Sequence, residues 1–121
     1  MLVVDGNNVM GSRPDGWWKD RAGAARRLVA QLGEWAADAG RDVLVVFDGP
    51  RLEGLDAPPR VEVRFARGRG PDAADHDIAA FVAADAAPER LRVVTSDAEL
   101  ARRVRAHGAE VVGARALLDQ L

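Results

Sequence analysis

The feature that most constrains the fold is the alternation of short apolar runs with longer segments of helical periodicity. The apolar runs cover residues 2–4, 43–47, 61–65, 91–94 and 111–112. The run at 43–47 is apolar throughout, which predicts a central strand that is covered on both faces. The run at 61–65 alternates apolar and polar side chains, as a strand nearer the edge of a sheet does. Strands separated by helices predict an α/β fold with a mainly parallel sheet.

The segments between these runs give the helices. Helices are predicted over residues 20–39, 72–85, 96–107 and 114–121. Gly40 follows the first where a helix-ending glycine belongs, and Ser96 and Glu99 have the spacing of a capping box. The Gly-, Asn- and Trp-rich stretch at 6–19 is predicted to be irregular. We therefore expect one domain over residues 1–121, with a five-stranded sheet in the order 3-2-1-4-5 and helices on both faces.

Composition narrows the possible chemistry. With 121 residues, 48% hydrophobic and 30% charged, the chain is an ordinary globular domain. It has no cysteine, which excludes disulfides, thiolate nucleophiles and Cys-based zinc sites, and its two histidines are too few to suggest a His-rich metal site. Asp5 comes too early for a secretory signal peptide, and no apolar run approaches the ~18 residues of a membrane span. We expect a cytoplasmic protein that does not contact membranes.

Three of the strand-like runs are followed by an aspartate, namely Asp5, Asp48 and Asp97. The carboxyl ends of parallel strands share one edge of a sheet, and ligands bind where the strand order reverses, here between strands one and four. Asp75, in the first turn of the second helix, is a candidate fourth carboxylate. Crowded carboxylates repel one another unless a cation is present, and oxygen ligands suit Mg²⁺ or Mn²⁺. The pattern predicts a magnesium or manganese site.

Each acid also has an ordinary structural use, and for any single one that interpretation is favoured. Asp5 and Asp48 each precede a glycine, as in tight turns. Asp72, Asp75 and Asp97 lie where an acid complements a helix dipole. The three strand-end acids together favour a site, because asparagine or serine would serve equally well in turns. Asn7 and Asn8 are either turn residues or groups that orient a metal-bound water.

The charges and tryptophans suggest where a polyanion would bind. Residues 60–70 contain four arginines and one acid, and residues 72–77 contain three aspartates. Arg64, Arg67 and Arg69 are candidate contacts to such a polyanion, and a solvated surface is the alternative. Trp17 and Trp18 are adjacent, so we expect at least one to be partly exposed as a stacking platform for bases. The alternative is that one closes the core and the other covers a subunit contact.

Four segments in order resemble a known family: Asp5-Gly6-Asn7-Asn8, Val46-Phe47-Asp48, Ala74-Asp75 and Thr95-Ser96-Asp97. They look like the YacP-like group of NYN domains in the PIN-like ribonuclease superfamily, over almost the whole chain. The resemblance implies a PIN-like sandwich with an Mg²⁺ or Mn²⁺ site that hydrolyses RNA phosphodiester bonds. By motif match it makes Asp5, Asp48, Asp75 and Asp97 the metal-binding catalytic acids and Asn8 a catalytic polar partner.

The chain departs from the family pattern at two points. Asp77 stands where the family tends to have an aromatic residue, and the roles of Asp72 and Asp77 are left open. The chain is also shorter than many YacP-like proteins. The expected function is a metal-dependent endoribonuclease acting on single-stranded RNA, with Arg64, Arg67 and Arg69 holding the RNA backbone. The alternatives are a non-catalytic RNA-binding module of the same fold and a metal-dependent phosphatase, although phosphatases of the haloacid-dehalogenase type would need an acid where Asn7 stands.

Overall fold

The computed structural model describes residues 1–70 and 72–121. Five strands form one sheet in the order β3-β2-β1-β4-β5, and every pairing is parallel. The strands are β1 (Leu2–Asp5), β2 (Val43–Phe47), β3 (Val61–Phe65), β4 (Arg92–Val94) and β5 (Glu110–Val112). All of β2 is buried, whereas β3 alternates between covered and exposed positions at the edge of the sheet. The predicted fold class and strand order are confirmed.

Helices cover both faces of the sheet. They are α1 (Gly6–Gly11), α2 (Arg21–Ala39), α3 (Ala73–Ala84), α4 (Ala98–Ala106) and α5 (Ala114–Leu118), with 3₁₀ turns at Trp17–Lys19 and Pro88–Arg90. One core lies between the sheet and α1, α2 and α5, and a second lies between the sheet and α3 and α4. No helix in the described part of the chain has the length and apolar character needed to cross a membrane.

The prediction that residues 6–19 are irregular was wrong for residues 6–11 and 17–19. The segment contains α1 and the 3₁₀ turn, because Val9 and Met10 are buried and tertiary packing overrides the weak helix propensity of glycine and asparagine. Gly6 makes the sharp exit from β1 possible. A Cβ atom there would lie 2.5 Å from Cδ1 of Phe47, so only glycine lets the two segments approach so closely.

The start of α4 also differs from the prediction. The helix is capped by Asp97, whose Oδ1 accepts the N–H of Leu100 at 2.9 Å, and Ser96 is not the cap. Oγ of Ser96 instead accepts the N–H of Ala114 at 3.0 Å and ties the start of α5 to the end of β4. Helix α5 ends at Leu118, before the predicted end at 121. Gly40 ends α2 with a φ of +63°, as predicted.

Candidate active site

The four predicted acids lie along the carboxyl edge of the sheet, each on a different segment. Asp5 ends β1, Asp48 follows β2, Asp97 caps α4 after β4, and Asp75 lies in the first turn of α3. Burial is the main cause of the raised pKa values of Asp5 and Asp75, and the neighbouring acids add to it. The charges of Asp97 and Asp48 raise the pKa of Asp75, and the charge of Asp75 raises that of Asp5, so these acids lie close enough to act on one another. The fold thus builds one acidic cluster from residues far apart in sequence.

Asp5 is the most buried member of this cluster, with 3% of its surface exposed. Burial raises its pKa to about 7, because the carboxylate loses its water, and the charges of Asp75 and Asp48 add to the effect. A hydrogen bond from Oγ1 of Thr95 to Oδ2 at 2.9 Å opposes the shift only in part. Asp5 therefore holds a negative charge near neutral pH only with difficulty unless a cation lies beside it.

Thr95 joins two members of the cluster. It is 2% exposed, and its hydroxyl donates to Asp5 while accepting the N–H of Asp97 at 3.1 Å. Because the hydroxyl has a single proton, this arrangement fixes both its direction and the orientation of the Asp5 carboxylate. No role was predicted for Thr95 from the sequence. The available signal was a hydroxyl residue directly after a buried strand and two positions before an acid.

Asp48 and Asp75 complete the cluster from the side of α3. Oδ1 of Asp48 accepts the N–H of Ala74 at 2.8 Å, which joins the end of β2 to the start of α3. Burial raises the pKa of Asp48, as do the charges of Asp72 and Asp77. Burial also raises the pKa of Asp75 to about 6, helped by Asp97, Asp48 and Asp72, although Arg103 opposes it. Both carboxyls therefore hold protons more strongly than an exposed aspartate does.

Two asparagines of α1 hold the strand ends in place around β1. Oδ1 of Asn7 accepts the N–H of Asp48 at 2.7 Å, and Oδ1 of Asn8 accepts the N–H of Ser96 at 2.7 Å. Asn7 thus fixes the loop after β2, and Asn8 fixes the loop after β4. Asn8, predicted to be catalytic, lies at the site, but its carbonyl oxygen is engaged by the backbone and only its amide protons are left to face a water or substrate.

The donor set fits a hard divalent cation. The cluster offers only carboxylate oxygens, and Asp75 accepts no hydrogen bond from the described residues. Within residues 1–70 and 72–121, no three acidic or histidine side chains form a group that could hold a metal ion as they stand. Mg²⁺ is commonly held by one or two carboxylates, with water and substrate phosphate completing its shell. The arrangement suits a cation bound in that way.

An open groove of about 1630 Å³ adjoins the cluster and crosses the carboxyl ends of β2 and β3. Three predicted RNA contacts, Arg64, Arg67 and Arg69, line it, together with Asp48. The Arg64 guanidinium pairs with Glu62 and lies 5.5 Å from the centre of the Phe81 ring. The side chains of Arg67 and Arg69 are exposed.

Three further charged residues, none of which was predicted to bind RNA, also line this groove. Arg21 at the start of α2 and Arg51 in the loop after β2 lie far from the basic run in sequence, so no local pattern pointed to them. Asp77 also lines the groove, and its Oδ2 accepts the backbone N–H of Arg67 at 3.0 Å. Asp77 therefore orders the basic loop. Asp72 is exposed and acts on the site through its charge on Asp48 and Asp75.

The two tryptophans differ in their surroundings. Trp17 is half-buried, packs against the core on the α2 side, lines the groove and has the Arg21 guanidinium 5.3 Å from its ring centre. Trp18 meets Trp17 edge to face at 6.2 Å, is 60% exposed and is not among the groove-lining residues. At least one partly exposed tryptophan was predicted, which is confirmed, and the more exposed of the two is the one outside the groove.

A five-stranded parallel sheet in this order, with aspartates gathered at its carboxyl edge, has the architecture of a PIN-like nuclease domain. The chain matches the YacP-like NYN domain family over residues 2–121 and belongs to that family. This is a family of PIN-like ribonucleases. The resemblance seen in the sequence is therefore confirmed.

Solved structures agree with this assignment. The chain is similar to Rae1 (YacP) from Bacillus subtilis, with 31% identity and a TM-score of 0.78 over 99% of this chain and 72% of that one. It is also similar to a tryptophan-to-leucine variant of the same protein, with 29% identity and a TM-score of 0.79 over 98% of this chain and 72% of that one. Among curated proteins, none matches.

Proposed function

We propose that this chain is a metal-dependent endoribonuclease. The observation that carries the proposal is the meeting of four aspartates from four segments of the fold at one sheet edge, beside an arginine-lined groove. A domain that only bound RNA would gain nothing from acids that repel phosphate. Membership of a PIN-like ribonuclease family supports the same conclusion.

In this proposal Asp5, Asp48, Asp75 and Asp97 are the carboxylates among which Mg²⁺ or Mn²⁺ would be held, with one or two of them binding it directly. When bound, such a cation lowers the pKa of a water and stabilises the leaving oxygen of a phosphodiester. The protein supplies the orientation of these groups. Thr95 fixes the Asp5 carboxylate, and the asparagines of α1 fix the loops that carry the other strand-end acids.

The proposed substrate is single-stranded RNA. The groove is larger than the ~300–1,000 Å³ of most small-molecule pockets and is open to solvent, as a site for a polymer must be. Its arginines suit phosphates, and Trp17 offers an aromatic ring on which an unpaired base can stack. Bases of a duplex are already stacked and paired, so they cannot use that surface.

The test is an incubation of the purified protein with a mixed RNA pool in the presence of Mn²⁺, of Mg²⁺ or of EDTA, followed by mapping of the new ends. We expect internal cuts that need the metal and that disappear in Asp5→Asn. Asp38→Asn is the matched control, because Asp38 is an exposed acid on α2 away from the cluster. RNA that is bound and left uncut with both metals would favour the binding module, and hydrolysis of phosphomonoesters alone would favour the phosphatase.

A further inference from the structure

The groove meets the acidic cluster from one side only. Asp48 is the sole cluster acid among the described groove-lining residues, and none of those residues comes from β4, α4, β5 or α5. The lining comes instead from α1, the 3₁₀ turn at Trp17–Lys19, the start of α2, β2, β3 and α3, with the loops that follow β2 and β3. The surface beyond Asp97 therefore does not contribute to it.

Positive charge predominates in the groove, whereas the adjoining cluster is negative. Five arginines line it against two aspartates, Asp48 and Asp77, and each of these aspartates already accepts a backbone N–H. Arg64 is paired with Glu62, whereas Arg51 lies exposed on the loop after β2. The groove is thus a net positive surface that leads away from a net negative cluster, which suits an anionic chain whose reacting phosphate lies at the acidic end.

Trp17 and Arg21 form the end of the groove on the α2 side. The Arg21 guanidinium lies 5.3 Å from the centre of the indole, and Trp17 in turn packs against the core, so its ring has a fixed position. A supported aromatic ring beside a guanidinium offers stacking to a base and an ion pair to its phosphate. Arg64 and Phe81 form a similar pair at 5.5 Å on the α3 side.

We infer that single-stranded RNA binds on one side of the cleavage site, in the groove over β2 and β3, with Arg21 and Arg51 as contacts to its phosphates and Trp17 as a stacking surface. This rests on the proposed function for the position of the cut, but the binding itself does not require cleavage. The nucleotides on one side of the scissile bond occupy the groove, and those on the other side make few contacts with the protein.

The first test measures binding in EDTA, by fluorescence anisotropy of a labelled oligouridine with the intact protein over a range of salt concentrations. Arg21→Ala and Arg51→Ala should each weaken binding several-fold and flatten the log–log salt dependence by about 0.7. Trp17→Phe should bind more tightly than Trp17→Ala, by about fivefold or more.

Two arginines serve as matched controls. Arg27 is an exposed residue of α2 outside the groove. Arg115 is exposed on α5, next to Ala114, whose N–H donates to Ser96, and so lies beyond the cluster on the opposite side. Arg27→Ala and Arg115→Ala should leave the salt dependence unchanged. An effect of Arg115→Ala equal to that of Arg21→Ala would overturn one-sided binding.

The second test locates the groove relative to the cut. An RNA with one mapped cleavage site is shortened in two series, from its 5′ end and from its 3′ end. One series should lose kcat/KM steeply and the other should tolerate shortening up to the nucleotide next to the cut, whereas equal losses would overturn the inference. If wild-type protein cleaves RNA but Arg21→Ala and Arg51→Ala bind it like the controls, the groove is not the binding surface and the ribonuclease proposal still stands. If the groove binds RNA but no cleavage occurs, the ribonuclease proposal fails and the binding inference still stands.

Discussion

The two halves of the carboxyl edge are built differently. On the β1–β4 side, Asp5, Thr95 and Asp97 are buried or half-buried and joined by hydrogen bonds of 2.9 and 3.1 Å. Asn8, also half-buried, accepts the neighbouring N–H of Ser96 at 2.7 Å. On the β2–β3 side, the loops after both strands carry exposed arginines that lack such a network, apart from the contact between the Arg67 backbone and Asp77. The groups proposed for chemistry are rigidly held, and those proposed for RNA are adaptable.

This contrast follows from what each side must do. Carboxylates that hold a cation need fixed positions, because small displacements change its coordination. Arginines that follow the backbone of a variable RNA gain from long, mobile side chains that can track phosphates in different sequences. Substitutions of the hydrogen-bonded acids, including Asp48 after β2, should therefore change the rate of cleavage, whereas substitutions of the arginines on the β2–β3 side should change binding.

The largest effect is expected from the acids. Asp5→Asn or Asp97→Asn should lower cleavage about 100-fold or more, because each removes a charge that holds the cation. The fold should remain, since asparagine still caps α4 at position 97 and still accepts the Thr95 hydrogen bond at position 5. Cleavage assays and melting curves check this against Asp38→Asn. Near wild-type cleavage by either variant would show that the substituted acid does not hold the metal.

Thr95→Val tests whether orientation matters separately from charge. The change keeps the shape of the side chain but removes the hydroxyl that joins Asp5 to the backbone of Asp97. We expect kcat to fall about 10–100-fold with little change in KM and unfolding to become easier by about 1–3 kcal/mol. Thr95→Ser should recover most of both losses. A drop in stability alone, with kcat retained, would make Thr95 purely structural.

The raised pKa values of Asp5, about 7, and Asp75, about 6, predict how stability depends on pH. Between about pH 4 and pH 7 the folded protein keeps protons that the unfolded chain has lost, so the metal-free protein should lose stability as pH rises through this range. Asp5→Asn should reduce that loss. Thermal melts in EDTA across this range, compared with Asp38→Asn, provide the check.

Protons and metal compete for the same carboxylates, which gives a related expectation. The rise in Tm caused by Mn²⁺ should be larger at about pH 8 than at about pH 5.5, because binding requires deprotonated acids. The rise should also shrink in Asp48→Asn and Asp75→Asn. A rise in Tm of the same size at both pH values, or in all variants, would place the cation elsewhere on the protein.

The two tryptophans test which aromatic ring stacks on RNA on the β2–β3 side. Trp17→Ala should raise KM for single-stranded RNA by a factor that corresponds to ~1–3 kcal/mol and should also lower Tm, because the ring packs against the core. Trp18→Ala should change stability by less than about 0.5 kcal/mol and KM by less than the first variant. If Trp18→Ala raised KM more than Trp17→Ala, the stacking surface would lie outside the groove.

The smallest effects are expected from single arginines of the basic loop. Arg67→Ala and Arg69→Ala should each flatten the log–log salt dependence of RNA binding by about 0.7, with kcat unchanged. Arg27→Ala is the control of equal charge. If affinity and salt dependence both match the control, these side chains belong to a solvated surface.

Much of the fold follows from local patterns that the sheet then enforces. The continuous apolar run of β2 predicted a central strand and the alternating run of β3 predicted an edge strand, and both predictions are confirmed. They succeed because a strand buried on both faces needs apolar residues at every position, whereas a strand buried on one face needs them only at alternate positions. The acids at the strand ends were predicted as a group for the same reason, since parallel strands share their carboxyl edge. Their roles as metal ligands stay a prediction.

The rest depended on contacts between distant segments. Ser96 and Glu99 have the spacing of a capping box, but Oγ of Ser96 accepts the N–H of Ala114, and Asp97 caps the helix instead. Helix α1 forms in a stretch of glycine and asparagine because the core buries part of it. Arg21 and Arg51 reach the groove from elements that no local charge run connects.

The hydrogen bond between Thr95 and Asp5 joins residues 90 positions apart, and β1 pairs with both β2 and β4. During synthesis from the N-terminus, β1 can pair with β2 well before β4 has been made. A nascent chain that ends before residue 95 therefore exposes one edge of its central strand and carries Asp5 without its partner. The acidic cluster is completed only when most of the chain has left the ribosome, so translation itself delays the appearance of the proposed activity.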